Sequence, residues 1–321
     1  MFIKGMTYGW DGIRGDYRTK EAVQSLKKLK ETGAEWIALA FFTFQDTIHS
    51  TNIYFDYGRT VTDRDIAFAV KTAKELGLKV CLKPVVNSKD RIWRARIGFP
   101  DEGTGYWKKW FASYTNFILH YAELAEELEC EMFCIGCEMI GTEKRESEWR
   151  ELIKRVRKIY SGPIVYNANH SKERDINWLD DVDIIGTSAY YRVAEKPGDS
   201  VETMIKNWQQ VKDHLYQVHQ KFQKPILFAE IGCRSARGCA MMPWDFTHTD
   251  LPFDEEEQAN FYQSALEVFW DEPWFIGFFW WDWSTKLYSL ETAKTNRGFD
   301  IYGKKAEQIL KDWYKNKKEI G

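Results

Sequence analysis

Lys27-Lys-Leu-Lys-Glu-Thr-Gly33 runs directly into Ala34-Glu-Trp-Ile-Ala-Leu-Ala-Phe41, joining a charged amphipathic stretch to an apolar, β-rich run through one glycine. Gly just past a helix supplies the left-handed stop, and Lys in the last turn suits the helix dipole. The phrase therefore predicts a helix-to-strand joint, and it recurs. Lys74-Glu-Leu-Gly77 leads into Leu78-Lys-Val-Cys-Leu-Lys83, and Arg157-Lys-Ile-Tyr-Ser-Gly162 precedes Pro163-Ile-Val-Tyr166. Working outward, apolar runs predict eight strands near 3–8, 34–41, 78–84, 132–138, 163–168, 183–190, 225–230 and 275–283. Helical patterns lie near 18–32, 62–76, 105–128, 145–160, 172–179, 200–221, 254–271 and 303–316. No long Pro-, Gly- or Ser-rich linker interrupts them. Eight alternating units predict one α/β domain over 1–321, a single (β/α)₈ TIM barrel rather than an open doubly wound sheet. Thr7-Tyr-Gly-Trp10, after the first strand, also lacks the Gly-rich phosphate fingerprint of the open fold.

In such a barrel the C-terminal ends of the strands carry the chemistry. Two glutamates fall there, Glu138 closing Met132-Phe-Cys-Ile-Gly-Cys-Glu138 and Glu230 closing Pro225-Ile-Leu-Phe-Ala-Glu230. Two facing carboxylates are what glycosidic bond cleavage requires, one as proton donor and the other as nucleophile or base. The competing reading is that each merely pairs with a nearby Arg or Lys. The same placement brings Tyr8, Trp10, Lys83, Asn167, Asn169, His170, Tyr190, Tyr191, Trp281 and Asp282 to the mouth. Amides, hydroxyls and aromatic faces suit a polyhydroxylated ligand. Trp281 is expected to be a sugar platform. Tyr190 is either a core tyrosine or the hydrogen-bond partner that holds a carboxylate ionised. Lys83 has three readings: pairing a carboxylate, binding sugar hydroxyls, or reaching solvent.

The net charge of −3 with interspersed signs gives no basic stripe, so nucleic acid is not an expected partner. Fifteen Trp, 16 Tyr and 20 Phe make up 16% of the chain, and such rings stack on pyranose faces as well as fill cores. No apolar stretch is long enough for a bilayer, so no membrane association is expected. The start, Met1-Phe-Ile-Lys-Gly, shows no leader pattern, and a cytoplasmic monomer is expected, although a secreted form already cleaved of its leader would read the same. Cys134-Ile-Gly-Cys137 formally matches CxxC, but residues three apart on a strand point to opposite faces, and no second ligand pair or HxxxH spacing is present. No metal and no cofactor are expected. Six mostly buried thiols are the reading, with Cys233 and Cys239 in a loop and their bridging left open.

The pattern resembles the retaining glycoside hydrolases of the large (β/α)₈ clan with an acid/base Glu after strand four and a nucleophile Glu after strand seven. Over the whole chain it resembles glycoside hydrolase family 113, the β-mannanases. The residues that carry this are Gly136-Cys-Glu138, Asp183-Ile-Ile-Gly-Thr-Ser-Ala-Tyr-Tyr191, Phe228-Ala-Glu-Ile-Gly232 and Trp280-Trp-Asp-Trp283. The resemblance implies Glu138 as acid/base, Glu230 as nucleophile, Tyr190 as its partner, Trp281 as platform, and mannan-type β-linked saccharides as substrates, with transglycosylation where acceptors bind well. Where many clan members place Asn before the acid/base, this chain has Cys137. Asn167 or Asn169 then become candidates to grip the sugar's 2-hydroxyl. A β-mannosidase, β-galactanase, β-glucanase or non-catalytic sugar-binding barrel would present the same outline.

Overall fold

The computed structural model describes residues 2–100 and 103–316. Its strands are β1 (Ile3–Tyr8), β2 (Trp36–Gln45), β3 (Lys79–Ser88), β4 (Met132–Cys137), β5 (Ile164–Asn169), β6 (Ile184–Ser188), β7 (Ile226–Ile231) and β8 (Phe275–Trp283). All pair in parallel, in sequence order, and β8 closes on β1. The predicted barrel is the observed one. The helices are α1 (Lys20–Glu31), α2 (Asp63–Glu75), α3 (Tyr106–Glu127), α4 (Glu146–Val156), α5 (Val201–Phe222), α6 (Glu255–Phe269), the single turn α7 (Leu290–Ala293) and α8 (Lys305–Asn316). Side-chain caps start several of them: Thr19 accepts from the Ala22 N–H, Thr62 and Asp65 form a reciprocal capping box, and Ser200 accepts from Thr203.

The helix expected near 172–179 is instead two 3₁₀ turns, Glu173–Asp175 and Asn177–Asp181, broken by extended Ile176. The cause is Glu173, whose fully buried carboxylate is drawn inward by the Thr187 and Tyr191 hydroxyls and by His214. Strands β2 and β3 run four residues past their expected ends at 41 and 84 and stay in register to Gln45↔Ser88. Their polar ends are satisfied within the protein, as when Gln45 accepts from Trp110 Nε1 at 3.0 Å.

Inside the barrel, Ile3, Trp36, Ala38, Cys81, Met132, Cys134, Val165, Leu227 and Phe279 form one apolar layer below the mouth. A larger cluster packs the outer strand faces against the helices. Cys134 and Cys137 do not face opposite ways. A register irregularity between them admits an extra residue and turns both sulfurs inward. They take different partners, the Gly136 carbonyl for Cys134 and the Glu230 carboxylate for Cys137. Cys233 and Cys239 are free, buried thiols with sulfurs 3.0 Å apart. No helix among the described residues is long and apolar enough to cross a membrane.

Candidate active site

Glu138 is the first residue beyond β4, and its backbone is left-handed at φ 54°. That conformation is unfavourable for a residue with a side chain, and such positions collect at functional sites. Its N–H donates to the Asn167 carbonyl at 2.8 Å, which pins the turn to β5. Two residues earlier, any Cβ on Gly136 would meet the Tyr166 and Trp149 rings and the Tyr114 hydroxyl at about 3 Å, so the approach to Glu138 requires glycine. The carboxylate is buried and fully engaged. Oε2 accepts from Trp93 Nε1 and Arg94 Nη2, each at 3.2 Å, and Oε1 accepts from Asn169 Nδ2 at 3.1 Å.

Glu230 sits near the end of β7, also buried. Its Oε1 accepts from Lys83 Nζ at 2.6 Å, from the Cys137 thiol at 3.2 Å and from Asn167 Nδ2 at 3.3 Å, while Oε2 accepts, among the described residues, from the Tyr190 hydroxyl alone, at 3.1 Å. Burial raises the carboxyl, but the Lys83 charge, and beyond it Arg94, outweigh burial and hold Glu230 below its ordinary value. For Lys83 burial works toward neutrality, and Glu230 keeps the ammonium charged nonetheless. Cys137 is raised by burial and then by the Glu230 carboxylate, so it remains a thiol able to donate. Tyr190 is raised for the same two reasons.

Arg94 ties the two carboxylates together. It contacts Glu138, donates to the Cys137 carbonyl at 2.9 Å and to Asn87 Oδ1 at 3.0 Å, and touches Cys137 Sγ at 3.5 Å, while that thiol contacts Glu230. Among the described residues no group of three His, Cys, Asp or Glu side chains converges as a metal site.

A family model described as Glycoside Hydrolase Family 113 matches residues 6–304, nearly the whole chain. The chain belongs to glycoside hydrolase family 113. Among solved structures it is similar to a GH113 β-1,4-mannanase determined as a complex, at 37% identity and TM-score 0.91, with 98% of this chain and 99% of that one covered. The GH113 β-mannanase AaManA of Alicyclobacillus acidocaldarius, solved with ManMIm, is similar at 39% identity and TM-score 0.90, over 98% of this chain and 97% of that one. A Faecalibacterium prausnitzii β-glucuronidase shares the fold alone, at 15% identity and TM-score 0.66, with all of this chain aligned to 50% of that one. No curated protein matches. The family makes this chain a glycoside hydrolase, an enzyme whose substrate is a carbohydrate.

The residues expected at the mouth of this family 113 barrel divide into three groups. Glu138, Glu230, Lys83, Tyr190, Asn167 and Asn169 form one hydrogen-bonded assembly, in which Lys83 and Asn167 are spent on Glu230 and Asn169 on Glu138. Trp10 and Trp281 meet edge to face at 5.2 Å, both half-buried, and the Arg94 guanidinium lies 5.9 Å from the Trp10 ring. Trp281 is held from behind: a Cβ on Gly232 would fall 2.4 Å from its carbonyl oxygen, so strand β8 can approach only a glycine. Half-buried Asp282 is pushed well above the usual carboxylate range by burial, then by Asp300, Asp11 and Glu230. Two expected residues lie elsewhere. Tyr8 faces the helices and donates to the Ala22 carbonyl, and Tyr191 donates to Glu173. His170 packs against the Tyr191 and Trp244 rings. Missed altogether were Trp93 and Arg94. They follow β3, which runs on through Val85-Val-Asn-Ser88 past its expected end at 84 and so hid where the loop begins.

One buried acid near the site gives a pH test. Burial raises Glu143 to about 7, against the opposing Tyr166 hydroxyl bond and with Glu173 adding to the rise. A carboxyl with a raised folded value is neutral in both states below the unfolded value, at no cost to folding, and it destabilises the fold as pH climbs from the unfolded value through the folded one, most of that rise falling between pH 5 and pH 7. The full effect is roughly 3 kcal/mol above that window. Glu143→Gln should therefore gain on the parent in thermal midpoint between pH 5 and pH 8. A parent–variant difference that stays flat across this range would show that Glu143 titrates normally.

Proposed function

We propose that this family 113 chain is a retaining endo-β-1,4-mannanase, with Glu230 as nucleophile and Glu138 as acid/base. The observation that carries the roles is the asymmetry of donors. Each carboxylate has a buried cation against it, but Lys83 lies closer to Glu230, at 2.6 Å, than Arg94 does to Glu138, at 3.2 Å, and Glu230 is kept ionised, as a nucleophile must be. Its Oε2, with a single donor, is the freer oxygen to form the bond to the anomeric carbon. As that bond forms and the glycosidic C–O bond breaks, Glu138 gives its proton to the departing oxygen. Oε2 of Glu138 already receives two N–H donors, so the transferred proton is assigned to Oε1. Glu138 then takes a proton from water, which displaces Glu230 and regenerates the β-configuration. Such a double displacement requires the carboxyl groups at roughly 5 Å. The 37–39% identical relatives, named as β-1,4-mannanases and β-mannanase, support mannan as the substrate.

The test is product analysis on β-1,4-linked manno-, gluco- and galacto-oligosaccharides, with the anomer followed by NMR from the first turnover. Internal cleavage of the manno-series with the β-anomer appearing first is expected. An α-anomer appearing first would mean inversion, and preference for the gluco- or galacto-series would overturn the sugar assignment.

A further inference from the structure

Trp93 stands apart from the other aromatic residues at the mouth. Its indole N–H donates to Glu138 Oε2 at 3.2 Å, yet the residue is 44% exposed. A single exposed aromatic needs no explanation, but one hydrogen-bonded to the carboxylate read as acid/base has a fixed relation to the reaction. That carboxylate must lie against the oxygen that joins the two sugars at the cleavage point. An exposed ring bonded to that carboxylate is within reach of the sugar that departs.

The loop around Trp93 is also built to hold the ring still. Asp90 Oδ1 accepts from the Ile92 N–H and Oδ2 from the Ile48 N–H, both at 3.0 Å. Arg94, the next residue, is clamped on the Cys137 carbonyl and Asn87. Ile97 is fully buried, and its carbonyl packs so closely on the segment after Glu138 that a Cβ at Gly141 would fall 2.0 Å from it. A rigid exposed aromatic face loses little freedom on binding a flat apolar sugar face.

We propose that Trp93 forms the first acceptor-side subsite, stacking on the sugar that leaves in the first step and on any sugar that replaces water in the second. This rests on the reading of Glu138 as acid/base, and the two are separable by leaving group. A manno-oligosaccharide presents a sugar to Trp93, whereas a β-mannosyl fluoride of matched donor length presents none and departs without protonation. Trp93→Ala should lose roughly 10–100-fold in kcat/KM on the oligosaccharide, lose markedly less in kcat/KM on the fluoride, whose first step takes no proton from Glu138, and respond less to added mannobiose as acceptor. Trp93→Phe, which keeps a ring but not the N–H, should recover most of the oligosaccharide activity. Activity on the fluoride reports an intact fold.

Equal losses on both substrates, or no loss on either, would overturn the subsite. Failure of Trp93→Phe to recover, with the fluoride rate slowed at breakdown of the covalent intermediate, would make Trp93 a positioning residue for Glu138 instead. If the parent hydrolyses neither substrate, the mannanase reading falls and takes the subsite with it.

Discussion

Glu230→Ala should lose hydrolysis by about four to six orders of magnitude, the scale seen when a covalent nucleophile is removed, and azide should return activity with the α-glycosyl azide as product. The space vacated by the carboxylate lies on the α face of a β-linked sugar, so a small anion entering it attacks from that side. Glu138→Ala should behave differently. On a substrate whose leaving group needs no proton, the covalent intermediate forms and then accumulates, because only its hydrolysis still requires a base. On sugar leaving groups the loss should be about 10²–10⁴-fold. Azide needs no deprotonation, so it should release the intermediate as the β-glycosyl azide. Exchanged stereochemistry between the two variants would reverse the roles, and unimpaired hydrolysis in both would end the glycosidase mechanism drawn on these residues.

Lys83→Met should be the most damaging change outside the two glutamates. The ammonium and the Glu230 carboxylate are both buried, 2.6 Å apart. Removing one member of such a pair leaves an uncompensated charge and costs roughly 3–5 kcal/mol of stability. Glu230 has a lowered folded value, so it contributes stability that is present above the unfolded carboxyl value and lost as pH falls through the folded one. Without Lys83 the burial that already opposes ionisation prevails, and the sign of that contribution reverses. The acid limb of kcat/KM against pH should therefore move to higher pH, because a larger share of the enzyme carries a protonated nucleophile. An acid limb left in place, at whatever residual activity, would show that Lys83 does not govern the ionisation of Glu230.

The barrel was legible in the sequence because each helix-to-strand joint is a local signal: a basic last turn, a glycine and a β-rich run. The two glutamates were legible because they end such runs. What escaped was tertiary. The ends of β2 and β3, Phe42-Thr-Phe-Gln45 and Val85-Val-Asn-Ser88, mix apolar with polar residues beyond the runs read as strands, and they are strands because each pairs with the other and because Trp110 satisfies Gln45. The missing helix near 172–179 has a helical pattern that loses to the burial of Glu173 among Thr187, Tyr191 and His214. Lys83 had three open readings because its partner lies 147 residues away. The same distance problem hid Arg94 and Trp93, whose contacts with Glu138 cross from one strand's loop to another's. Cys137 was visible as a departure from a pattern, but its part as a thiol donor to Glu230 became apparent only when a local irregularity turned it inward.

The pairing of Lys83 with Glu230 and of Arg94 with Glu138 has a consequence for how a saccharide is captured. With Glu138 carrying the proton it will donate, Lys83 and Glu230 still cancel, and the single charge left over, on Arg94, is buried at the base of the cleft, so this group of residues exerts little net pull at a distance. A neutral polysaccharide gains nothing from long-range attraction, and a base with so little net charge does little to draw in charged polymers that would compete in a crowded mixture. Encounter is then left to diffusion and to short-range contact with the aromatic rim, which makes capture nearly indifferent to ionic strength.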